Sequence, residues 1–279
     1  MRKINYGLIV SDFDGTLVNR DGTISEKNQQ AISDYVASGG KFVISTGRMP
    51  RGIVARAKEL GMEGLVSCCQ GSVIVELDTE TRLVDGRIPY ETTLAIVEKM
   101  EEMGLHIHVD DGFDFYSNMD DDALKRYENA VRYKAVLVLD RPLSQFVREK
   151  KLSSYKVLAM VKHEENASVL QRLTECNFPG CTVTRSSRSL VEVLTAQYSK
   201  GTAVEFLAKH FNVPIEKTVA VGDQLNDIPM IETAGVGVAV QNADIGLKEK
   251  ANVVSPLTNE EGAIAWVIEE FGFQKNVKD

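Results

Sequence analysis

Apolar runs of strand length alternate with helix-length amphipathic stretches at both ends of this 279-residue chain, but not through its middle. Near the N-terminus, Leu8-Ile9-Val10 reads as a buried strand. A helix capped by Ser25 or Thr23 follows, running to about Ser38 with Ala31, Ile32, Tyr35 and Val36 as its apolar face, and Gly39-Gly40 stops it. Phe42-Val43-Ile44 is a second strand, residues 50–60 a second helix, and Leu65-Val66-Ser67 a third strand. Residues 71–77 and 82–88 read as a hairpin. The alternation resumes with a helix capped by Ser199, a strand at 218–221, a helix opened by Pro229, a strand at 236–240 and a last helix at 262–271. Strand–helix alternation of this kind predicts a parallel sheet with helices on its faces.

The middle has another character. After a helix at 93–103 come alternating stretches at 105–109, 113–117, 155–161, 181–184 and 190–194, with a helical pattern at 165–176. Alternation predicts half-buried antiparallel strands. The expectation is an α/β core built from residues 1–86 and 195–279, with an α+β domain at 87–194 inserted into it.

Composition narrows the function. The net charge of −8 argues against nucleic acid or an anionic membrane as partner. No apolar stretch approaches the roughly 20 residues of a membrane helix. Residues 1–5 lead straight into the first strand, so no leader segment is expected and a cytoplasmic location follows. Cys68, Cys69, Cys176 and Cys181 lack disulfide or zinc spacing and read as free thiols. His106, His108, His163 and His210 show no ligand spacing either, and no catalysis is assigned to them.

The chemistry collects at strand ends. Three runs finish in reactive polar residues: Asp12 and Asp14 after the first, Ser45 and Thr46 after the second, Asp223 after the strand at 218–221. In a parallel sheet these ends share one edge, where ligands of open α/β sheets bind. Two carboxylates two residues apart disfavour each other's ionisation unless a cation lies between them, and hard oxygen donors of this kind suit Mg²⁺. Lys200 begins its helix, and Arg48 and Arg51 lie near another helix start, where a cation is disfavoured unless anions gather there. Asp227 reads as a helix cap or as support for a metal site.

Four stretches in order, Asp12-Phe13-Asp14-Gly15-Thr16, Thr46-Gly47-Arg48, Lys200-Gly201 and Gly222-Asp223-Gln224-Leu225-Asn226-Asp227, resemble the motifs of the haloacid dehalogenase superfamily, in particular its Cof-type phosphatases with a large inserted cap. The resemblance covers nearly the whole chain. It implies a Rossmann-like core with the insert as a specificity cap, and a Mg²⁺-dependent phosphatase of small phosphorylated metabolites such as sugar phosphates or phosphorylated cofactors. Asp12 would attack phosphorus and carry the phosphoryl group, and Asp14 would act as general acid and then base. Mg²⁺ would sit on Asp12, the Asp14 carbonyl and Asp223, with Asp227 supporting the metal or the lysine. Thr46, Lys200, Asn226, Gly47, Arg48 and the backbone N–H groups after Asp12, at Phe13, would hold the substrate phosphate. Two positions depart from the family pattern: Gln70 stands where Asn is common, and Gln241 where Gly is. A phosphomutase and a non-catalytic phosphate sensor are the rival readings; a nucleotide-dependent oxidoreductase fails because Gly235-Val236-Gly237 follows a helix and lacks a third glycine. Arg185, Ser186, Ser187 and Arg188 read as a polar loop able to meet a second anion.

Overall fold

The computed structural model describes residues 2–275, apart from the side chain of Ser186. In chain order the first elements are β1 (Leu8–Ser11), α1 (Glu26–Ala37), β2 (Lys41–Ser45), α2 (Pro50–Glu59), β3 (Leu65–Cys68), β4 (Val73–Glu76) and β5 (Arg82–Asp85). Then come α3 (Tyr90–Glu102), β6 (His106–Asp110), β7 (Phe115–Ser117), α4 (Asp122–Val131), β8 (Val136–Leu137), α5 (Leu143–Lys150), β9 (Lys156–Met160), α6 (Asn166–Glu175), β10 (Cys181–Ser187) and β11 (Leu190–Thr195). The chain finishes with α7 (Lys200–His210), β12 (Thr218–Gly222), α8 (Ile228–Thr233), β13 (Val236–Ala239), α9 (Ile245–Lys250), β14 (Val253–Val254) and α10 (Ala263–Val267). Two compact units result. One holds residues up to Gly47, Ala57–Thr81 and those from Tyr198 onward; the other holds Arg48–Arg56 and Arg82–Gln197. No helix among the described residues is long and apolar enough to cross a membrane.

In the first unit the strands lie in the order β14-β13-β12-β1-β2-β3-β4. All neighbours are parallel except β3 and β4. β1, buried over its whole length, is the central strand, with β2 on one side and β12 on the other. The chain therefore winds outward in opposite directions from β1, which makes the gap beside it a topological switch point. Ser25 caps α1 by accepting from the Asn28 amide, as its sequence predicts. The expected apolar face of α1 needs one correction: Val36 is 44% exposed. The buried stripe steps through Asn28, Ile32 and Tyr35 at helical spacing, and Val36 falls outside it.

The second unit has its own sheet, in the order β10-β11-β9-β6-β7-β8. The predicted strands pair antiparallel; the unpredicted β8 joins β7 in parallel. One face packs an apolar core that includes Ile96, Val97, Ile107, Val109, Val157 and Val193. The other face carries His106, His108 and Asp110, so β6 is buried on both sides rather than half-buried. On that polar face Lys156 Nζ meets Glu192 Oε1 at 2.8 Å, at 8% and 2% exposure. Removing one partner of such a pair strands the other charge. Glu192→Ala is expected to destabilise the protein by roughly 3–5 kcal/mol, measured as a lower urea midpoint. The expected polar loop at 185–188 is also corrected: β10 continues to Ser187 with a register shift after Arg185, and Arg185 and Arg188 are exposed.

Candidate active site

Asp12 is the first residue beyond β1. Its N–H still donates to the Val221 carbonyl at 2.8 Å, so strand pairing carries it to the level of the end of β12. Thr46 follows β2 and Asp223 follows β12, and the three sequence-predicted strand ends meet on one edge. Lys200 enters from the first turn of α7, which Ser199 caps with its side chain on the Thr202 amide. Lys200 Nζ donates to Asp12 Oδ1 at 2.5 Å and to Asp227 Oδ1 at 2.6 Å. The carboxylates of Asp12, Asp223 and Asp227 present oxygens all within 4.8 Å of one another, and all three residues are buried.

Each acid is held differently. Asp227 Oδ2 accepts the N–H groups of Asp223 and Gln224, so it closes the turn before α8 rather than capping α8 itself, and its Oδ1 pairs with Lys200. Asp223 Oδ1 accepts from Thr16 Oγ1 at 2.9 Å, and its Oδ2 from Gln224 Nε2 at 2.9 Å. Gly15, at φ +83°, lets the turn after Asp14 press against it: a methyl group there would stand 2.6 Å from Asp223 Oδ2. Thr16 and Gln224 are supports of the Asp223 carboxylate that the sequence reading did not assign. Asn242 is another, since its Nδ2 donates to the Gly15 carbonyl at 2.9 Å. Its place just past the end of β13, on the same sheet edge, is the signal that could have found it.

Electrostatics make the cluster costly as it stands. Three carboxylates face one ammonium in a buried space. Burial, reinforced by Asp227 and Asp223, pushes the Asp12 carboxyl well above the usual range against the pull of Lys200. Burial likewise raises Asp223. Asp12 and Asp227 raise the Lys200 ammonium against its own burial, so it stays charged. Buried hard-oxygen donors with surplus negative charge fit a divalent cation, which would supply the missing positive charge.

The remaining predicted residues divide. Phe13 is buried and Asp14 exposed beside the turn. Thr46 and Gly47 follow β2 in the same unit, and Asn226 Nδ2 donates to Gln70 Oε1 at 3.1 Å. Arg48 lies in the segment grouped with the other unit. Arg51, expected to face gathered anions, pairs instead with Asp114 and lies over the Phe113 ring at 4.6 Å, a local partner that sequence spacing could not reveal.

Known proteins resemble this chain over nearly its whole length. A Haemophilus influenzae protein is 31% identical over 265 residues, covering 95% of this chain and 98% of its own. Phosphatase YwpJ of Bacillus subtilis is 30% identical over 284 residues, covering 92% and 97%. The crystal structure of TM0651 from Thermotoga maritima superposes with a TM-score of 0.82 at 26% identity, over 96% of this chain and 98% of that one. Residues 9–268, from β1 through the last helix and so through every residue of the acidic cluster, match one family, and on that match the chain belongs to the haloacid dehalogenase-like hydrolases.

Proposed function

We propose that this hydrolase is a Mg²⁺-dependent phosphatase of small phosphomonoesters that works through an aspartyl phosphate on Asp12. The observation that carries the reading is the Lys200 clamp on Asp12 and Asp227 inside an acidic cluster at the switch point of the sheet. Lys200 takes Asp12 Oδ1 and so orients the carboxylate, with Oδ2 as the attacking oxygen. Asp14, exposed one residue before Gly15, donates a proton to the leaving alkoxide and then takes one from the water that hydrolyses the intermediate. The Thr46 hydroxyl, the Lys200 ammonium, Asn226 and the backbone N–H groups of Phe13, Gly47 and Arg48 hold the phosphoryl oxygens. Asp12, the Asp14 carbonyl and Asp223 would hold Mg²⁺, which supplies positive charge for the transferring group, while Asp227 serves chiefly as counter-ion to Lys200. Residues 87–194 are the cap that selects the leaving group, and the metabolite is small enough to need no nucleic-acid or membrane surface.

The test is hydrolysis of p-nitrophenyl phosphate. Activity is expected to fall at least about 100-fold in EDTA and to return with Mg²⁺ but not Na⁺. One inorganic phosphate should appear per nitrophenol. A phosphomutase would instead return phosphate to substrate, and a sensor would bind without turnover. EDTA-resistant turnover would sink the metal assignment.

A further inference from the structure

β3 ends at Cys68, and the next three residues turn in a way that chains seldom do. Cys69, Gln70 and Gly71 have φ of +48°, +58° and +95° in succession. Left-handed backbone is uncommon for residues with side chains, and it persists where the surroundings over-determine it. Three contacts do so here. The Gln70 N–H donates to the Thr46 carbonyl at 3.1 Å. A methyl group on Gly71 would stand 2.1 Å from the Ser199 carbonyl oxygen, so this backbone lies directly on the residue that caps α7. Gln70 Oε1 accepts the 3.1 Å bond from Asn226 Nδ2. In three residues the turn touches the end of β2, the N-cap of the helix that bears Lys200, and the turn after β12.

The Gln70 side chain is the centre of this arrangement. It is 7% exposed, and its Nε2 lies against Gly47, where a methyl group would come within 2.7 Å. We infer that Gln70 is a positioning residue for phosphate: its carboxamide fixes the orientation of Asn226 and packs the Thr46–Gly47 turn from the same side. The inference rests on the phosphatase reading above, which makes Asn226 and Gly47 phosphate contacts. An asparagine amide held by one of its own N–H groups presents its other donor in a set direction. Without Gln70, the ligand itself would have to order that amide, and affinity would fall by the cost of doing so. The ligand chemistry is a tetrahedral oxyanion, and this positioning belongs to phosphate rather than to the leaving group.

The experiment is binding of inorganic phosphate, with Mg²⁺ present, by calorimetry. Gln70→Ala and Asn226→Ala are each expected to weaken binding about five- to tenfold, and the double variant no more than the worse single one, because the two amides act as a unit. Losses that multiply would overturn the inference. Gln70→Asn separates side chain from backbone, since Asn tolerates this φ better than most residues but is one methylene too short. It should melt with wild type and bind phosphate as weakly as Gln70→Ala. Wild-type affinity in Gln70→Asn would reduce Gln70 to a backbone role and end the proposal. Should Gln70→Ala not fold, Gln70→Gly, which suits the turn, carries the same comparison. Wild-type protein that binds phosphate but hydrolyses no ester would refute the phosphatase reading alone; protein that binds no phosphate would refute both.

Discussion

Asp12→Asn is expected to abolish turnover while making the metal-free protein more stable. The first half follows from the proposed nucleophile. An amide cannot form the acyl phosphate, and losses on the order of 10⁴ or more accompany removal of a covalent nucleophile. Wild-type protein should carry a hydroxylamine-labile phosphoryl group from substrate, and the variant none. The second half follows from the charge count at the cluster. Asp12, Asp223 and Asp227 crowd one Lys200, all buried, and Lys200 keeps Asp227 as partner when Asp12 becomes neutral. Losing one surplus buried charge should raise stability by about 0.5–2 kcal/mol in EDTA, the usual size of gain when an active-site compromise is relieved. The pH dependence fixes the sign. Asp12 is raised in the folded protein, so its favourable protonation is fully present below the unfolded carboxylate pKa and is lost as pH rises through the folded value. The variant's advantage should therefore vanish in acid and widen toward neutral pH. Mg²⁺ should reverse the order, because a ligand that binds only the folded state stabilises it in proportion to its affinity, and the variant has lost a proposed carboxylate ligand. A variant less stable than wild type in EDTA at pH 7 would show that the Asp12–Lys200 attraction outweighs the crowding.

The part of this site legible in the sequence is the part written in strand ends. The apolar runs of β1, β2 and β12 (Leu8-Ile9-Val10, Phe42-Val43-Ile44 and Val219-Ala220-Val221) each stop one residue short of a candidate site residue, so Asp12, Thr46 and Asp223 announce themselves. Ser25 and Ser199 announce helix starts by the same local logic. What stayed hidden depends on partners distant in sequence. The left-handed φ of Gln70 is imposed by Thr46, Ser199 and Asn226, none of them a neighbour in the chain. Thr16 looks like a turn residue until Asp223, 207 positions away, is set against it. In the second unit α4 is legible only in a short stripe of Leu124, Tyr127 and Val131, set among the charges of Asp122, Lys125, Arg126 and Glu128. The pair His106 and His108 has no metal-ligand spacing in the sequence. An i, i+2 spacing on a strand puts both on one face, where their Nε2 atoms stand 3.2 Å apart and the His108 ring packs on Tyr127 at 4.9 Å. Burial then holds His108 neutral, its pKa pushed down to about 3. The two rings fill a buried polar face of β6.

Lys200→Met should do to stability the reverse of what Asp12→Asn does. Methionine matches the length of the aliphatic stem and keeps most of the packing, so the change isolates the ammonium. Lys200 is 1% exposed, and its charge is the partner printed into the geometry of both Asp12 and Asp227. Its loss leaves buried carboxylates with no counter-charge, at a cost of roughly 3–5 kcal/mol at neutral pH. The deficit should shrink as pH falls and those carboxyls take up protons. Wild type follows the opposite limb: Lys200 is raised, so its contribution is complete below the ordinary lysine range and is lost as pH climbs through the higher folded value. Turnover should drop by at least about 10²–10³, because in the proposed mechanism the ammonium both orients the nucleophile and faces the phosphoryl charge. Lys200→Arg should not rescue it. Two carboxylate oxygens already lie 2.5 and 2.6 Å from Nζ, a spacing that suits a compact ammonium and leaves no room for a planar guanidinium. If Lys200→Met instead melts with wild type at pH 7 and regains activity with Mg²⁺ alone, the lysine is dispensable to the cluster, and the cation would have to neutralise Asp12 and Asp227 by itself.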